Sequence, residues 1–182
     1  MSVGDYIKKY GQPPLQTFEN GNRGFNLENK GLTSLEGLQQ IDHLRDATQL
    51  NLRNNLFKQI PAQAFAGLPN LMLLELSYNK IKTIEAHAFA DLSSLLSLWL
   101  YKNKLIKLPE GLFDTMNNCV IFFLASNKLR ALPVTLFKNI PACQQLVLDD
   151  NYFPETKDEF EKKYLNQAFL DRSFVDYEPQ LK

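Results

Sequence analysis

The sequence predicts a curved α/β solenoid, in which short parallel strands line a concave face, irregular segments form the convex side, and a helix lies at each end. Three observations support this prediction: an asparagine that recurs every 24 residues, an apolar pair before each asparagine, and a phenylalanine ladder with the same spacing. A fixed period of this length is the signature of a repeat architecture. The recurring asparagines are Asn55, Asn79, Asn103, Asn127 and Asn151.

Each asparagine stands in the same apolar frame, for which the third full copy is typical. There, Leu98 and Leu100 precede Asn103, and Leu105 follows it. Apolar residues two positions apart point to the same side of a strand, so they predict a short strand with these side chains inward. The asparagine amide can satisfy backbone groups in the turn that follows. An earlier copy is degenerate and has Lys30 at the asparagine position.

The second half of each repeat has two further apolar ladders. An aliphatic residue comes five positions after the asparagine, and a phenylalanine comes ten positions after it. The aliphatic positions are Ile60, Ile84, Leu108 and Leu132, and the aromatic positions are Phe65, Phe89, Phe113 and Phe137. A single repeat cannot bury this apolar face alone, so neighbouring repeats must stack against each other.

The frame resembles the leucine-rich-repeat family, in its 24-residue type, over about residues 25–153. The resemblance implies a parallel sheet on the concave face, an irregular convex side, and protein binding as the usual role. Because the repeats lack flanking cysteines and a leader, the chain is also similar to the leucine-rich-repeat effectors that intracellular bacteria deliver into host cells. In that setting the chain would occlude or inhibit a host protein or another effector.

We interpret the whole chain, 1–182, as one leucine-rich-repeat domain with a cap at each end. Residues 1–24 would form an N-terminal cap, made of a helix and a loop. About six repeats follow over 25–153, and residues 154–182 would form a C-terminal helical cap.

Apolar spacing and turn residues define the elements inside the two predicted caps. The first cap should contain an amphipathic helix over 2–10 and a connecting loop over 11–24, which is rich in Gly, Pro and Asn. The second cap should contain a helix over about 156–169. Thr156 and Glu159 have the spacing of a capping box at its start.

The functional surface should be the concave face, where the outward strand positions differ from repeat to repeat. No sequence remains to cover this face, so the side chains around Trp99 and Phe123, including Tyr101 and Ile121, should meet water. An apolar centre with a charged rim is the layout of a protein-binding interface. Alternatively, a terminal segment folds over these side chains, or self-association hides them. The exposed apolar group of the predicted site consists of Trp99, Tyr101, Ile121 and Phe123, extended by Leu73, Tyr78 and Val147. The charged rim around it consists of Arg53, Glu75, Lys102, Asp149 and Asp150.

Composition limits the classes of partner. The chain has 182 residues, with 20 Lys+Arg and 20 Asp+Glu, so its formal net charge is zero. A partner held mainly through phosphates needs a basic excess, and a membrane span needs roughly 18–20 consecutive apolar residues. The sequence has neither. We therefore expect a protein partner, no nucleic acid, no membrane and a monomeric free state.

A basic row follows the repeat asparagines. Lys80, Lys104 and Lys128 each come directly after one, so stacking should align them along one edge. Lysines at this position commonly solubilise the turn. The alternative is that they steer an acidic partner electrostatically.

Two cysteines and two histidines are the candidates for thiol or metal chemistry. Cys119 and Cys143 occupy an inward position of the frame, and stacked equivalents could also lie close enough for a disulfide. So few cysteines favour a reducing intracellular compartment, such as a host cytosol that receives a bacterial protein. His43 and His87 lack metal-ligand spacing, and no Gly-rich phosphate loop is present. We therefore expect no metal, no cofactor and no enzymatic activity.

Two other interpretations of the chain stay open from its sequence. The first is a receptor-type ectodomain that binds a ligand outside the cell, since a chain trimmed of its leader would look the same. The second is a structural scaffold that associates with itself.

Overall fold

The computed structural model describes residues 1–137 and 140–165, together with the backbone of Phe174–Asp176. Its helices are α1 (Val3–Tyr10) and α2 (Lys157–Tyr164), with two short 3₁₀ helices at Leu38–Gln40 and Leu44–Asp46. Its strands are β1 (Gln16–Thr17), β2 (Arg23–Asn26), β3 (Gln49–Asn51), β4 (Gln59–Ile60), β5 (Leu73–Glu75), β6 (Thr83–Ile84), β7 (Ser97–Trp99), β8 (Ile121–Phe123), β9 (Gln145–Val147) and β10 (Phe174–Asp176).

One large sheet runs through the repeats, and all its strand pairs are parallel except that of β1 with β2. Its strand order is β1-β2-β3-β5-β7-β8-β9-β10, and β4 pairs with β6 in a second, two-stranded sheet. Leu74 pairs with Leu98, and Leu98 with Phe122, so the inward side chain of each strand stacks on its neighbours. All three are fully buried. The predicted solenoid with a parallel sheet is confirmed.

The repeat asparagines tie successive turns of the solenoid together. The Nδ2 group of Asn103 donates to the carbonyl oxygens of Leu76 and Leu100, at 3.0 and 3.1 Å. Its Oδ1 accepts from the backbone N–H of Ile81 at 3.0 Å. The asparagines of the other full repeats form the same bridge. Because each one bonds to its own turn and to the previous turn, it fixes the register of the stack.

The residue before each repeat asparagine has a left-handed backbone, with φ between 52° and 57° in the full repeats. A β-branched side chain is strongly disfavoured in this conformation, and none occurs there. The left-handed residue ends the strand segment and begins the turn that contains the asparagine. These residues are Asn54, Tyr78, Lys102, Ser126 and Asp150.

The phenylalanine ladder fills the interior behind the large sheet. Phe65 and Phe89 stack with ring centroids 5.8 Å apart, and Phe89 and Phe113 with centroids 6.5 Å apart. Cys119 and Cys143 lie buried in the same core and are not joined by a disulfide, at the inward position that the repeat frame predicts. Burial raises the pKa of the Cys119 thiol to about 12. This thiol is therefore protonated at neutral pH and is a poor nucleophile.

The N-terminal helix α1 packs against the first turn of the repeats. Ser2 and Asp5 form a reciprocal capping box at its start. Val3 is fully buried, and its backbone N–H donates to the carbonyl oxygen of Ser34 at 3.1 Å. The helix predicted over 2–10 is therefore present, with Ser2 as its N-cap.

The loop predicted over 11–24 is wrong in its second half. There β1 pairs antiparallel with β2, and β2 begins at Arg23, before the first apolar residue of the repeat frame. A Cβ at Gly24 would lie 1.7 Å from the carbonyl oxygen of Gln49, so glycine is required where β2 meets β3. A two-residue strand is too short to produce a periodic pattern, and the sequence shows only the turn residues of this hairpin.

The C-terminal helix α2 begins as predicted, because Thr156 and Glu159 form the expected capping box. It ends at Tyr164, and Leu165 has an extended backbone with φ −117° and ψ 148°. The prediction that this helix continues to about residue 169 is therefore wrong, and residues 166–169 lie outside the described part of the chain.

A further strand follows α2 within the segment predicted to be a helical cap. The backbone of β10 pairs parallel with β9 and extends the large sheet by one strand. Phe160 of α2 packs against Phe153 with ring centroids 4.9 Å apart, so the helix covers the last buried aromatic of the repeats. Neither of the described helices has the length and apolar character of a membrane-spanning segment.

Candidate binding groove on the concave face

Outward side chains from successive turns line a groove of about 460 Å³ on the face of the large sheet. We call it the concave groove. The predicted site residues that line it are Arg53, Glu75, Tyr78, Trp99, Tyr101, Phe123, Val147 and Asp149. Ser77, Ala125 and Ser126 also line it. The sequence-based prediction omitted these three residues because their side chains are small and uncharged. Their outward positions in the repeat frame would have identified them.

Trp99 and Phe123 form the aromatic centre of the groove. The pairing of β7 with β8 sets the two residues side by side, and their ring centroids lie 5.3 Å apart in an edge-to-face arrangement. Such a pair stabilises its arrangement beyond simple burial. Both side chains are half-buried, as are Tyr101 and Ile121. Each keeps part of its surface in solvent, while packing against its neighbours covers more of it than the sequence-based prediction assumed.

Tyr78 and Tyr101 form a second aromatic pair, with ring centroids 5.3 Å apart. The guanidinium carbon of Arg53 lies 4.3 Å from the ring centre of Tyr78. The Nζ atom of Lys102 lies 5.0 Å from the ring centre of Tyr78 and 5.1 Å from that of Tyr101. Cations are attracted to aromatic faces at these distances. Arg53 also forms an ion pair with Glu28, with 3.5 Å between Nε and Oε1. The cluster forms a rim on one side of the groove, and the net positive charge of this rim therefore comes from Lys102.

Hydrogen bonding inside this rim shifts the ionisation of its members. The side chains of Tyr101 and Lys102 lower the pKa of Tyr78. Hydrogen bonds with the side chains of Tyr101 and Tyr78 raise the pKa of Lys102. The ammonium group of Lys102 is therefore held in its charged form beside the two rings.

Glu75 lies at the floor of the groove, whereas the sequence placed it on the rim. It is only 5% exposed, because the strand register sets it between Asn51 and Trp99. Its Oε1 accepts from the backbone N–H of Ser77 at 2.7 Å. Burial raises the pKa of this carboxyl, and the hydrogen bonds from Ser77 offset part of the effect. Ionised Glu75 is therefore a poorly solvated charge beneath the aromatic side chains.

The indole N–H of Trp99 is a second poorly satisfied group. It is buried, and it has no hydrogen-bond acceptor among the described residues. A buried donor without an acceptor costs about 1–3 kcal/mol.

The far end of the groove is formed by Val147 and Asp149. Val147 was predicted to extend the exposed apolar group, but it is buried. Because β10 pairs beside β9, Val147 has a neighbouring strand on both sides and is not at a sheet edge. Asp149 is half-buried and lines the groove. The other predicted site residues lie beside the groove rather than in its lining: Leu73, Lys102, Ile121 and Asp150.

The groove combines aromatic rings with charged and polar groups. Its aromatic rings can bury apolar or aromatic side chains, while its charged groups, Arg53, Glu75 and Asp149, can orient polar ones. In the part of the chain that the structure describes, no group of three or more His, Cys, Asp and Glu side chains comes together to hold a metal ion.

Comparison with known proteins agrees with the fold. A family model described as leucine rich repeat matches residues 45–105. No curated protein matches the chain significantly. Among solved structures, a leucine-rich-repeat protein of Leptospira interrogans is 29% identical, with a TM-score of 0.61, over 73% of this chain and 32% of its own.

Two further solved structures share the fold at lower identity. The crystal structure of TLR13 in complex with ssRNA13 is 23% identical, with a TM-score of 0.76, over 91% of this chain and 22% of that chain. The leucine-rich-repeat domain of APL1B is 19% identical, with a TM-score of 0.64, over 71% of this chain and 37% of that one. The chain thus spans well under half the length of each of these proteins.

The matched repeat segment, the stacked asparagine bridges and the parallel sheet agree with one another. The chain has the leucine-rich-repeat fold, and its residues 45–105 match the leucine-rich-repeat family model.

Proposed function

We propose that the chain is a non-enzymatic protein-binding module and that the concave groove receives its partner. The observation that carries this proposal is the pair of Trp99 and Phe123, which stands partly exposed at the centre of a groove of about 460 Å³. The leucine-rich-repeat fold is commonly used for binding proteins, which supports the assignment.

A partner would gain most of its binding energy at the centre of the groove. Tryptophan, tyrosine and arginine are the residues that most often dominate protein interfaces, and Trp99, Tyr78 and Arg53 lie together here. The positive rim and the carboxylate of Asp149 stand at opposite ends of the groove, so they would orient a partner of matching charge. We expect an apolar or aromatic partner side chain to pack against Trp99.

The unsatisfied indole N–H of Trp99 adds support. A partner carbonyl that accepted a hydrogen bond from Nε1 would remove a cost of about 1–3 kcal/mol that the free protein carries. The Trp99 ring would have to turn for this, because its N–H is covered in the free form. Partner binding should therefore change the environment of Trp99 itself.

The proposed mode of action is occlusion. A module of this kind that covers an active site or an interface inhibits its partner without any chemistry of its own. The partner would be a host protein or another bacterial effector, met in a reducing intracellular compartment. This part of the proposal is based on the resemblance to bacterial effectors, and two buried cysteines that are not joined by a disulfide are compatible with it.

The test is affinity capture with the wild-type chain and two double variants. The test variant is Trp99→Ala/Phe123→Ala, and the matched control is Tyr10→Ala/Val134→Ala, which truncates exposed apolar side chains away from the groove. Captured proteins should be retained by the control and lost by the test variant. Loss of one hot-spot anchor corresponds to about 2 kcal/mol or more, a roughly thirtyfold weaker affinity.

Equal capture by both double variants would exclude the concave groove as the binding site. A concentration-dependent dimer that dissociates in Trp99→Asp, measured by sedimentation, would instead assign the groove to self-association. Thermal unfolding of both variants should match the wild type closely enough to show that the fold is retained.

A further inference from the structure

One edge of the solenoid carries cations that the concave groove does not use. Lys80, Lys104 and Lys128 each follow a repeat asparagine, and the backbone N–H of each donates to the turn before it, at 2.8–3.0 Å. The three lysines therefore stand on adjacent turns of one hydrogen-bonded ladder. Leu56 and Tyr152 occupy the same position at the two ends of this column.

A second column lies two residues further along the chain. The backbone N–H of Lys82 donates to the carbonyl oxygen of Lys58 at 2.8 Å, and β4 and β6 continue this pairing. Side chains two positions apart on an extended segment point to the same side, and the residue between the two columns is buried in each turn. The two columns therefore share one outward face. The second column consists of Lys58, Lys82, Ile106 and Arg130.

We call the residues of these two columns the basic array. Adjacent turns lie about 4.8 Å apart and alternate residues about 7 Å apart, so the array covers roughly 20 Å by 7 Å. All nine side chains are exposed, six are cations and none is a carboxylate. None of the six cations forms an ion pair with another described residue. The zero net charge of the chain thus hides a local excess of positive charge.

Exposed apolar side chains are concentrated in the same array. Leu56 is 38% exposed, Ile106 is 52% exposed and Tyr152 is 44% exposed. In the described part of the chain, the large apolar side chains exposed outside the array are Tyr10 and Val134. A role for the lysines in keeping the turns soluble does not explain why exposed apolar side chains cluster among them.

We propose that the basic array docks the protein on the surface of a bilayer that contains anionic phospholipids. A flat, charged surface can contact both columns at once, and each Lys or Arg near such a surface contributes about 1 kcal/mol. Leucine, isoleucine and tyrosine side chains are suited to the boundary between headgroups and acyl chains. The array supplies both contributions on one face.

Other polyanions fit the array less well. An acidic peptide would form exposed ion pairs, which contribute about 0–1 kcal/mol each. A single-stranded nucleic acid would use aromatic platforms on which its bases stack, and the array offers only Tyr152, at one end. The expectation of no membrane contact was based on the missing apolar span, and a peripheral contact requires no span.

The basic array and the concave groove lie on different parts of each turn. The groove is lined by residues that precede the repeat asparagines, while the array consists of residues that follow them. Membrane docking would therefore leave the groove open to a protein partner. This inference does not depend on the proposed function of the groove.

The test is co-sedimentation of the full chain with vesicles of phosphatidylcholine, alone or mixed with phosphatidylserine. The test variant is K80E/K104E/K128E, and the matched control, with the same change in net charge on exposed lysines of the helices, is K8E/K9E/K162E. The wild type and the control should sediment with the phosphatidylserine vesicles only, and less so as the salt concentration rises. The test variant should bind at least tenfold more weakly.

A second pair of variants separates the two contributions. Leu56→Ala/Ile106→Ala should weaken vesicle binding and leave its salt dependence unchanged, because it removes apolar contacts only. If the triple lysine variant unfolds by circular dichroism, Lys82→Glu/Arg130→Glu applies the same charge test to the second column.

Three results would overturn the proposal. The first is a wild-type chain that does not bind phosphatidylserine vesicles. The second is an equal loss of binding in the test variant and the control. The third is binding to heparin or to a single-stranded oligonucleotide without binding to vesicles, which would reassign the array to a soluble polyanion.

Discussion

At the scale of single residues, position in the repeat decides what a side chain does. Asn103 is buried and connects two turns through three hydrogen bonds. Asn118 is exposed and donates one hydrogen bond, to the carbonyl oxygen of Ser93 at 2.8 Å. The two side chains are chemically identical. Their contributions to the free energy of unfolding therefore differ because of burial and because of the number of backbone groups to which each is hydrogen-bonded.

Replacing Asn103 with alanine should destabilise the fold strongly. The substitution leaves the N–H of Ile81 without an acceptor in the core, and a buried group of this kind costs about 1–3 kcal/mol. The carbonyl oxygens of Leu76 and Leu100 each lose one of two donors and keep the amide of the neighbouring repeat asparagine. We expect a loss of about 2 kcal/mol in the free energy of unfolding, measured by chemical denaturation. Asn118→Ala is the control and should change it by well under about 1 kcal/mol, because its partner carbonyl remains accessible to water. Similar losses in the two variants would contradict the bridging role.

Glu75 should make the stability of the protein depend on pH. Its pKa in the folded state is raised above the ordinary value of 4.5 by burial, so the folded state binds this proton more tightly than the unfolded state does. The contribution of Glu75 to the free energy of unfolding is therefore greatest below pH 4.5. It is lost as the pH rises through the raised pKa of the folded state. A glutamine at this position cannot ionise, so the Glu75→Gln variant has no such loss.

Unfolding of the wild type and of Glu75→Gln over a series of pH values tests this directly. The stability of the variant relative to the wild type should increase from acidic to neutral pH. Using the difference between the two proteins removes the contribution of all other titrating groups. A difference that stays constant or decreases with rising pH would contradict the burial of Glu75 in the groove.

At the scale of elements, the repeat period predicts the strands well and the ends less well. The 24-residue frame identifies the inward residues of β3, β5, β7, β8 and β9, because the middle residue of each of these strands is apolar and buried. The hairpin of β1 with β2 was missed, since it depends on the close approach of Gly24 to the carbonyl oxygen of Gln49. No apolar period marks a contact of that kind.

The C-terminal elements show a second limit of periodicity. A capping box predicts where α2 begins, because the two side chains that form it are local to Thr156 and Glu159. Its end at Tyr164 has no comparable local signal: no glycine or proline follows within the next residues. The pairing of β10 with β9 is a long-range contact, and a contact of this kind leaves no period in a single short segment.

At the scale of the whole molecule, the sheet face and the edge beside it have different chemistry. The repeat frame predicts which side chains point outward, and eight of the predicted residues do line one groove. The frame could not predict that Glu75 is buried or that the indole N–H of Trp99 lacks an acceptor, because both depend on how neighbouring outward side chains pack. The cations of the basic array form no ion pairs with other described residues. The sequence could not predict this either, because it depends on how the turns stack.

Occupation of the concave groove by a protein partner can be measured through Trp99. It is the single tryptophan of the chain, and it stands at the centre of the groove. Incorporating a fluorinated tryptophan therefore labels this position alone, and its fluorine resonance can be followed while a captured partner is added. Saturating partner should shift that resonance and reduce the exposure of the ring to solvent. A resonance that stays unchanged while the partner is bound would contradict the account, because the partner would then lie elsewhere on the molecule.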